Sequence, residues 1–518
     1  MDSSMCSGCI EKEAVKILKV DIEKPELGKP NFDSERILKP LREKFNEEIK
    51  IPLVILQKLP YTLRRCKNSI YVILVKNENY WEVGDILCEK PEEILGVGID
   101  LGSTTVAFYI YDFVEKKLIK SFSILNPQIK IGEDILTRLH FAKKQENLEY
   151  IKNITIEAIN KELQKIGSEK IYYLSFCGNT AMTHFFLGLP VNYLFIEPYV
   201  PCVKWIGILD SKELNLRTHP LSKIFIFPIA GTYFGGDLIA GLFFSEIYKK
   251  EELNFFIDIG TNAEVVLGSK EFLLACAGAA GPALEGAIFE CASQAKEGAI
   301  ERIRIKNNKI EYSTIGEMPP VSICGSGVID LIAELFLNGL INSNGKFQID
   351  KFPERFRKIG DEYVFIVAEE KETAFKKPIY IKQSEIKSFL RSKGAMFTIL
   401  SLVCEKVGIS FDEVSKFYIA GSFGNRVDIN SAVTLGMFPE QALQKSVALG
   451  NAAGKGVLKF LTYANLEEIK QIVEMITYIE LNIDSRFMEL LTGAIFIPHV
   501  NLELFPQVMK KLKGLKNV

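Results

Sequence analysis

The pattern of hydrophobic and polar positions begins, after 17 residues without clear periodicity, with a short region of mixed helix and strand signals. Apolar residues recur at helical spacing over residues 34–45, and residues 69–76 are rich in β-branched side chains. The first pattern predicts a helix and the second predicts a strand. We therefore predict a flexible segment at residues 1–17, followed by a small α/β domain at residues 18–93.

The apolar pattern then restarts twice in nearly the same form. At Ile94 and again at Leu253, an apolar run leads to an aspartate, a glycine and a hydroxyl residue, and a second apolar run follows. Apolar runs around a glycine-rich turn predict a β-hairpin. A repeat at this spacing predicts two similar α/β halves. We assign them to a middle domain at residues 94–250 and a C-terminal domain at residues 251–505, with a basic tail at residues 506–518.

Overall charge and composition narrow the possible functions. The chain has 63 basic and 65 acidic residues and a net charge of -2, which gives no support for nucleic-acid binding or for a polybasic membrane contact. The most apolar long segment, residues 224–244, is interrupted by Asp237 and several glycines. We interpret it as a buried strand, a turn and a helix, not as a membrane span.

The start of the chain has no apolar stretch of the signal-peptide type. Its ten cysteines are scattered, and only Cys6 and Cys9 are close together. Without a secretion signal, the simplest prediction is reduced, mostly buried thiols in a cytoplasmic protein.

The two predicted hairpins carry residues suited to a phosphate chain. The first turn contains Asp100, Gly102, Ser103 and Thr104, and the second contains Asp258, Gly260, Thr261 and Asn262. Glycine lets backbone N–H groups approach a phosphate, and hydroxyls donate hydrogen bonds to it. A carboxylate repels phosphate unless Mg²⁺ lies between them, usually through water. A single such turn fits an ordinary hairpin, but two copies at domain spacing favour a nucleotide.

In their order, these turns resemble those of the actin, sugar-kinase and heat-shock-chaperone (ASKHA) superfamily. The resemblance implies two ribonuclease-H-like α/β lobes around an ATP cleft, preceded here by the small α/β domain. Residues 228–242 and 447–456 resemble its two connecting helices, in which small residues permit close packing. Residues 417–425 resemble its adenosine motif, with Gly421, Ser422 and Gly424 bordering the nucleoside.

Two further features leave alternatives open. The turn Gly325, Ser326 and Gly327 opens a predicted helix, and both a nucleotide contact and plain helix capping are compatible with it. Asp237 could align a water molecule on the γ-phosphate as general base, as acidic residues do in related kinases, or it could cap a helix. His184 lies on an apolar helical pattern and is interpreted as a satisfied core or interface histidine rather than a metal ligand.

A closer resemblance runs from about residue 18 to residue 498. The chain is similar to the reductive activators of corrinoid-dependent proteins (RACo-like). The motifs that carry this similarity are residues 126–128 (NPQ), 178–180 (GNT), 281–286 (GPALEG), 298–301 (GAIE), 420–425 (AGSFGN) and 478–481 (YIEL). The family implies ATP-coupled reduction of Co(II) to Co(I) on a corrinoid protein, an iron–sulfur domain that delivers the electron, and a homodimer.

The sequence departs from this family at its N-terminus. A plant-type ferredoxin domain would need four clustered cysteines, and only Cys6 and Cys9 precede the small α/β domain. We therefore expect no iron–sulfur cluster in this chain alone and a separate electron donor. Cys6 and Cys9 could be incidental, could complete a metal site with a partner, or could be a redox-active pair.

Three functions are compatible with these sequence features. The resemblance favours a slow ATPase that binds ATP or ADP with Mg²⁺ and activates a corrinoid protein or another low-potential metalloprotein. The absence of a ferredoxin pattern leaves room for a nucleotide-switched binding protein without a redox role. A small-molecule kinase would use the same cleft, although no sugar-site pattern supports it.

Overall fold

The computed structural model describes residues 12–28, 30–45, 47–66, 69–260, 263–278, 288–306, 309–480 and 484–516. The chain divides into two units. The first unit comprises residues up to Phe244 together with Ala452–Glu474, and the second unit comprises Ser245–Asn451 together with Met475–Val518.

The first unit begins with a small α/β domain. Its elements are β1 (Val15–Asp21), α1 (Asp33–Arg42), β2 (Glu48–Lys50), α2 (Leu53–Arg65), β3 (Ser69–Lys76) and β4 (Tyr80–Leu87). The sheet order is β1-β3-β4-β2. Ile55, Leu59 and Leu63 repeat at helical spacing on α2 and are buried. The helix predicted at residues 34–45 and the strand predicted at residues 69–76 are confirmed as α1 and β3.

One cysteine prediction is wrong in this domain. A disulfide joins Cys66, directly after α2, to Cys88, directly after β4, and the two Cα atoms are 5.0 Å apart. That separation is within the range at which a disulfide can close. The two cysteines are 22 residues apart in the sequence, and nothing in that spacing predicts a bond between them. The pairing depends on how the ends of α2 and β4 come together in the folded domain.

The first unit continues with a larger sheet and its helices. These elements are β5 (Leu95–Leu101), β6 (Thr105–Asp112), β7 (Lys117–Leu125), α3 (Ile135–Phe141), α4 (Gln145–Ile166), β8 (Ile171–Gly178), α5 (Thr180–Leu187), β9 (Gly207–Asp210), β10 (Lys223–Ile226) and α6 (Gly236–Ser245). The sheet order is β7-β6-β5-β8-β10-β9. Residues 224–244 contain most of β10 and α6, which confirms the predicted strand, turn and helix.

The second unit contains a matching sheet and two smaller sheets. Its strands are β11 (Asn254–Ile259), β12 (Ala263–Gly268), β13 (Leu273–Gly278), β14 (Ala299–Lys306), β15 (Lys309–Thr314), β16 (Ser322–Ile323), β17 (Phe356–Ile359), β18 (Glu362–Ala368), β19 (Ile379–Lys382), β20 (Lys416–Ala420), β21 (Ser446–Gly450) and β22 (Ile476–Ile479). The large sheet has the order β21-β20-β11-β12-β13-β22, and the small sheets are β15-β14-β16 and β17-β18-β19.

The described helices that follow α6 belong to both units. They are α7 (Gly325–Leu337), α8 (Gln383–Val407), α9 (Gly421–Arg426), α10 (Ile429–Thr434), α11 (Ala442–Lys445), α12 (Ala452–Thr462), α13 (Leu466–Met475), α14 (Ser485–Ala494) and α15 (Pro506–Lys516). The chain passes back into the first unit with α12 and α13.

The two large sheets share the topology of five strands, and their sixth strands, β9 and β22, lie at opposite edges. In the first unit, β7, β6 and β5 are antiparallel neighbours, and β8 and β10 follow in parallel. In the second unit, β13, β12 and β11 repeat the antiparallel part, and β20 and β21 repeat the parallel part. The predicted pair of similar α/β halves is therefore confirmed. Across the described parts of the chain, no helix is long and apolar enough to cross a membrane.

Candidate functional site

The first predicted phosphate turn is a tight hairpin between β5 and β6. Leu101 pairs with Val106, and the N–H of Gly102 donates to the carbonyl oxygen of Thr105 at 2.9 Å. A β-carbon at Gly102 would lie 3.0 Å from that oxygen, which leaves little room for a side chain. Ser103 and Thr104 form the tip of the turn, as predicted from their position after Gly102.

Two buried side chains donate hydrogen bonds to backbone carbonyl groups of this turn. Asn126 donates through Nδ2 to the carbonyl of Gly102 at 2.8 Å, and its own N–H donates to the carbonyl of Thr104 at 2.9 Å. Arg138 donates through Nη1 to the carbonyl of Ser103 at 2.6 Å. Both side chains are almost fully buried.

Asn126 is visible in the sequence only as part of a family motif, and Arg138 is not predicted at all. The only available signal was that Arg138 stands next to the apolar Leu139 in the short helix α3. The role of Arg138 could not be assigned from sequence, because its acceptors include a carbonyl on a turn 35 residues earlier.

Asp100 lies at the end of β5, beside the parallel strand β8. It pairs with Cys177, and Leu101 pairs with Gly178. A β-carbon at Gly178 would lie 2.9 Å from the carbonyl oxygen of Leu101, so glycine is needed for this close approach. The Cys177 thiol donates to Asp100 Oδ1 at 3.6 Å.

Asp237 stands in the first turn of α6 and is electrostatically coupled to Asp100. Burial raises the pKa of Asp237 to about 7, and the negative charge of Asp100 contributes to the rise. The backbone N–H of Leu238 donates to Asp237 Oδ1 at 2.9 Å. The fold of the first unit thus brings together two of the three carboxylates predicted for the site, and the pKa of Asp237 lies near neutral pH.

The second predicted turn lies between β11 and β12 in the second unit. Gly260 follows β11, whereas Thr261 and Asn262 lie outside the described residues. Asp258 pairs with Ala420 on the parallel strand β20. Gly421 has a φ of +84°, and a β-carbon there would lie 2.5 Å from the carbonyl oxygen of Ile259 and 2.9 Å from Asp258 Oδ1. The fold therefore places the predicted adenosine turn directly against Asp258.

A cavity of about 330 Å³ opens beside Gly424. Its lining combines apolar side chains with one guanidinium, one carboxylate and one hydroxyl. The lining residues are Arg302, Ile419, Gly424, Val427, Asp428, Ile429, Phe438, Ser446 and Ala448. The backbone of Ser422 belongs to α9, and its side chain lies outside the described atoms. Cavities that combine apolar walls with a few polar groups are typical of small-ligand sites.

The third predicted turn opens α7, which begins at Gly325. A β-carbon at Gly327 would lie 2.3 Å from the carbonyl oxygen of Ile300, so this glycine allows α7 to pack on β14. Ser326 is nearly buried, and its hydroxyl donates to the carbonyl of Glu301 at 3.2 Å. Packing therefore explains why residue 327 is a glycine and why the Ser326 hydroxyl is buried. The backbone N–H groups at the start of α7 are nevertheless suited to binding an anion.

The remaining predicted residues are a histidine and a cysteine pair. His184 is buried, with Nδ1 2.9 Å from the carbonyl of Pro190 and Nε2 3.4 Å from the N–H of Cys202. The interpretation of a satisfied core histidine is confirmed. Cys6 and Cys9 lie outside the described residues, and among those described there is no group of three or more His, Cys, Asp or Glu side chains that could hold a metal ion.

Sequence comparison matches the chain to three family profiles. Residues 9–93 match the RACo linker region, residues 95–250 match the RACo middle region, and residues 252–509 match the C-terminal domain of RACo, the ASKHA domain. A relative from Eubacterium limosum, the corrinoid activation enzyme RamQ, is 32% identical over 416 residues, which cover 77% of this chain and 70% of the relative.

A second relative and a solved structure are also similar to this chain. A reductase of the Co(II) methylated amine-specific corrinoid protein from Methanosarcina barkeri is 23% identical over 419 residues, covering 74% of this chain and 73% of the relative. The solved structure of a reductive activator for corrinoid, iron–sulfur protein superimposes with a TM-score of 0.87 and 31% identity, covering 96% of this chain and 81% of that chain.

Proposed function

Since this chain belongs to the RACo family and contains its C-terminal ASKHA domain, we propose that it is an ATP-dependent reductive activator. Its substrate would be a corrinoid protein or a related low-potential metalloprotein. One electron from a separate donor would reduce Co(II) to Co(I), and ATP would be hydrolysed to ADP and phosphate in the same cycle. The observation that carries this proposal is the relationship to two proteins named for corrinoid activation and corrinoid-protein reduction.

The two aspartate–glycine turns support the nucleotide part of this proposal. Asp100 and Asp258 have the hard oxygen donors that Mg²⁺ prefers, and both stand at the end of a strand where a glycine turn follows. Each would bind Mg²⁺ through water, and the ion would offset the negative charge of the phosphates. Ser103, Thr104, Thr261 and Asn262, with the backbone at Gly102 and Gly260, would bind the phosphate oxygens.

The nucleoside would lie against the second unit. Gly421, Ser422 and Gly424 would border adenosine, and the cavity beside Gly424 offers apolar walls with Arg302 and Asp428. An arginine can stack on a purine ring, and a carboxylate can accept from its exocyclic amine. The N–H groups at Gly325, Ser326 and Gly327 would supply a further anion contact.

Asp237 would act as general base. With a pKa of about 7, a useful fraction of Asp237 is deprotonated at neutral pH. Its carboxylate would take a proton from the water that attacks the γ-phosphate, which is the role for which a base with a pKa near the working pH is best suited.

We propose a homodimer in the cytoplasm. The domain division would be an N-terminal segment at residues 1–17, a linker domain at 18–93, a middle domain at 94–250, an ATPase domain at 251–505 and a basic tail at 506–518. The electron donor would be a separate protein, which an artificial reductant can replace in an assay.

The deciding experiment follows ATP turnover and cobalt oxidation state together under anaerobic conditions. Candidate corrinoid proteins in the Co(II) state are mixed with this chain, ATP and an artificial low-potential donor. We expect Co(I) formation only when all of these are present, and we expect the corrinoid partner to accelerate ATP hydrolysis. Equal reduction without this chain or without ATP would disprove the proposal. Phosphate appearing on a small metabolite would identify a kinase, and nucleotide-dependent binding without reduction would identify a switch.

A further inference from the structure

Arg138 is an unusual residue to find beneath a phosphate-binding turn. Its side chain is fully buried, and its three hydrogen-bond acceptors are backbone carbonyl oxygens. Nη1 donates to Ser103 at 2.6 Å, Nε donates to Gly132 at 2.8 Å, and Nη2 donates to Glu133 at 3.2 Å. Burying a guanidinium is unfavourable without strong compensation, so a specific role is expected of this side chain.

The geometry of the turn accounts for part of that role. In a planar trans peptide, the C=O and the N–H groups point in opposite directions. Because Arg138 holds the carbonyl of Ser103, the N–H of Thr104 must point away from Arg138. Asn126 holds the carbonyl of Gly102 in the same way, so the N–H of Ser103 also points outward. Two successive N–H groups are thereby presented on the side of the turn opposite to the two buried side chains.

Electrostatics account for the other part. Hydrogen bonds through a shared peptide group reinforce one another, so donation to the Ser103 carbonyl makes the Thr104 N–H a stronger donor. Burial lowers the pKa of Arg138, and the charge of Asp134 partly opposes that change. An arginine nevertheless stays protonated in proteins. Its positive charge therefore lies behind the turn, in a poorly screened environment, where it favours an anion on the other side.

We propose that Arg138 is the positioning residue of the first phosphate turn and that it makes the site selective for the charged phosphate chain of a nucleotide. This inference rests on the proposed function, because it takes the turn between β5 and β6 to be the phosphate site. Arg138 does not touch the nucleotide. It acts through the carbonyl of Ser103, with Asn126 as its partner on the neighbouring carbonyl.

The test compares ligands that do and do not carry phosphates. Arg138→Met removes the charge and all three hydrogen bonds, and Arg138→Lys keeps the charge but cannot reach three carbonyls. Arg217→Met is the matched control, because Arg217 lies in the same unit but is half exposed and pairs with Glu157 at 3.0 Å on the surface. Binding of Mg-ATP, tripolyphosphate and adenosine is measured by calorimetry, and thermal unfolding is recorded for every variant.

We expect Arg138→Met to weaken binding of Mg-ATP and tripolyphosphate by about tenfold or more, while adenosine binding changes less than about twofold. The turn loses both the positive charge behind it and the hydrogen bond that orients the Thr104 N–H. Arg138→Lys should fall in between, and Arg217→Met should match the unmodified chain. If Arg138→Met does not fold, Arg138→Lys alone tests the inference. This variant must still lose affinity for the phosphate ligands and keep its affinity for adenosine.

A purely structural role for Arg138 gives a different result. In that case the affinities for Mg-ATP and adenosine fall together, or neither changes, and the inference is overturned. The two proposals fail in distinguishable ways. If the unmodified chain binds neither Mg-ATP nor tripolyphosphate, the proposed function fails and the inference falls with it. If the unmodified chain binds Mg-ATP and both Arg138 variants bind it equally well, only the inference fails.

Discussion

Gly456 of α12 lies so close to Ala240 of α6 that a β-carbon at Gly456 would be 2.1 Å from the carbonyl oxygen of Ala240. Two residues earlier, a β-carbon at Gly454 would be 2.3 Å from the hydroxyl oxygen of Tyr109. The small residues of these two helices predict such close packing. The close approach is confirmed within the first unit, and it makes one surface of α12 intolerant of any side chain.

Gly456→Ala should therefore destabilise the first unit by about 1–3 kcal/mol, because α6 and α12 must separate to admit the methyl group. Both tryptophans of the chain, Trp81 and Trp205, lie in this unit, so urea unfolding followed by tryptophan fluorescence reports on it. Gly231→Ala is the control, because a β-carbon there would meet Phe234 at 3.5 Å, an ordinary contact distance. Equal unfolding midpoints for the two variants would contradict this prediction.

The sequence predicted the features of the fold that depend on short patterns of neighbouring residues and on their repetition. Apolar runs interrupted by glycine indicated the two turns at Asp100 and Asp258, the turn at Gly421 and the two similar halves. The contact of Gly421 with Asp258 was not visible, because it depends on β11 and β20 being neighbours although they lie far apart in the sequence.

What the sequence could not predict depends on burial and on distant partners. The Cys66–Cys88 disulfide, the carbonyl contacts of Arg138 and the raised pKa of Asp237 each arise when separate segments pack together. An arginine or an aspartate is usually solvated, so the residue type alone gives no sign that either side chain is buried. Only the folded arrangement shows that Arg138 is buried and that the charge of Asp100 helps to raise the pKa of Asp237.

Asp237 should make stability and activity depend on pH. Its pKa is raised from 3.8 to about 7 in the folded chain, so between these values the folded state binds the proton more tightly than the unfolded state. Stability should therefore fall as pH rises from about 4 to about 7. Asp237→Asn stays neutral and should be more stable than the unmodified chain at pH 8, by on the order of 1–3 kcal/mol, and equally stable at pH 4.

Thermal unfolding across this pH range checks the stability part of that expectation. The matching activity measurement is ATP hydrolysis, which should increase with pH through about 7 in the unmodified chain and should be reduced at least about 100-fold in Asp237→Asn. Glu115→Gln is the control, because Glu115 is an exposed carboxylate of the same unit. If Asp237→Asn hydrolyses ATP with an unchanged rate and pH profile, Asp237 is not the base.

Lys223 should be essential for joining the small N-terminal domain to the rest of the first unit. Its side chain is only 5% exposed, and its Nζ lies 3.0 Å from Glu82 of β4 and 2.5 Å from Asp210 of β9. Burial lowers the pKa of Lys223, but hydrogen bonds to Asp210 and Glu82 outweigh this effect and raise it. Lys223→Met would remove the buried cation that Glu82 and Asp210 share and would leave Asp210 paired with the exposed Lys212. We expect a loss of about 3 kcal/mol.

Lys212 offers a matched control for this effect. It pairs with the same Asp210 at 3.1 Å, but its side chain is 67% exposed. An exposed pair contributes less than about 1 kcal/mol, so Lys212→Met should unfold almost at the midpoint of the unmodified chain. Urea unfolding followed by tryptophan fluorescence compares the two variants. Similar losses for both would mean that the burial of Lys223 has no special consequence.

Asp258→Ala should weaken binding of Mg-ATP by about 1–3 kcal/mol, the cost of one charge-assisted partner. If Asp258 acts through Mg²⁺, the sign of the effect must depend on the metal. Without Mg²⁺, the carboxylate repels the phosphates directly, so removing it should leave ATP binding unchanged or improve it. Calorimetric titrations with and without Mg²⁺ measure both cases. Asp361→Ala, an exposed aspartate of the same unit, should change neither, and an equal loss for Asp258→Ala with and without Mg²⁺ would rule out a role through the metal.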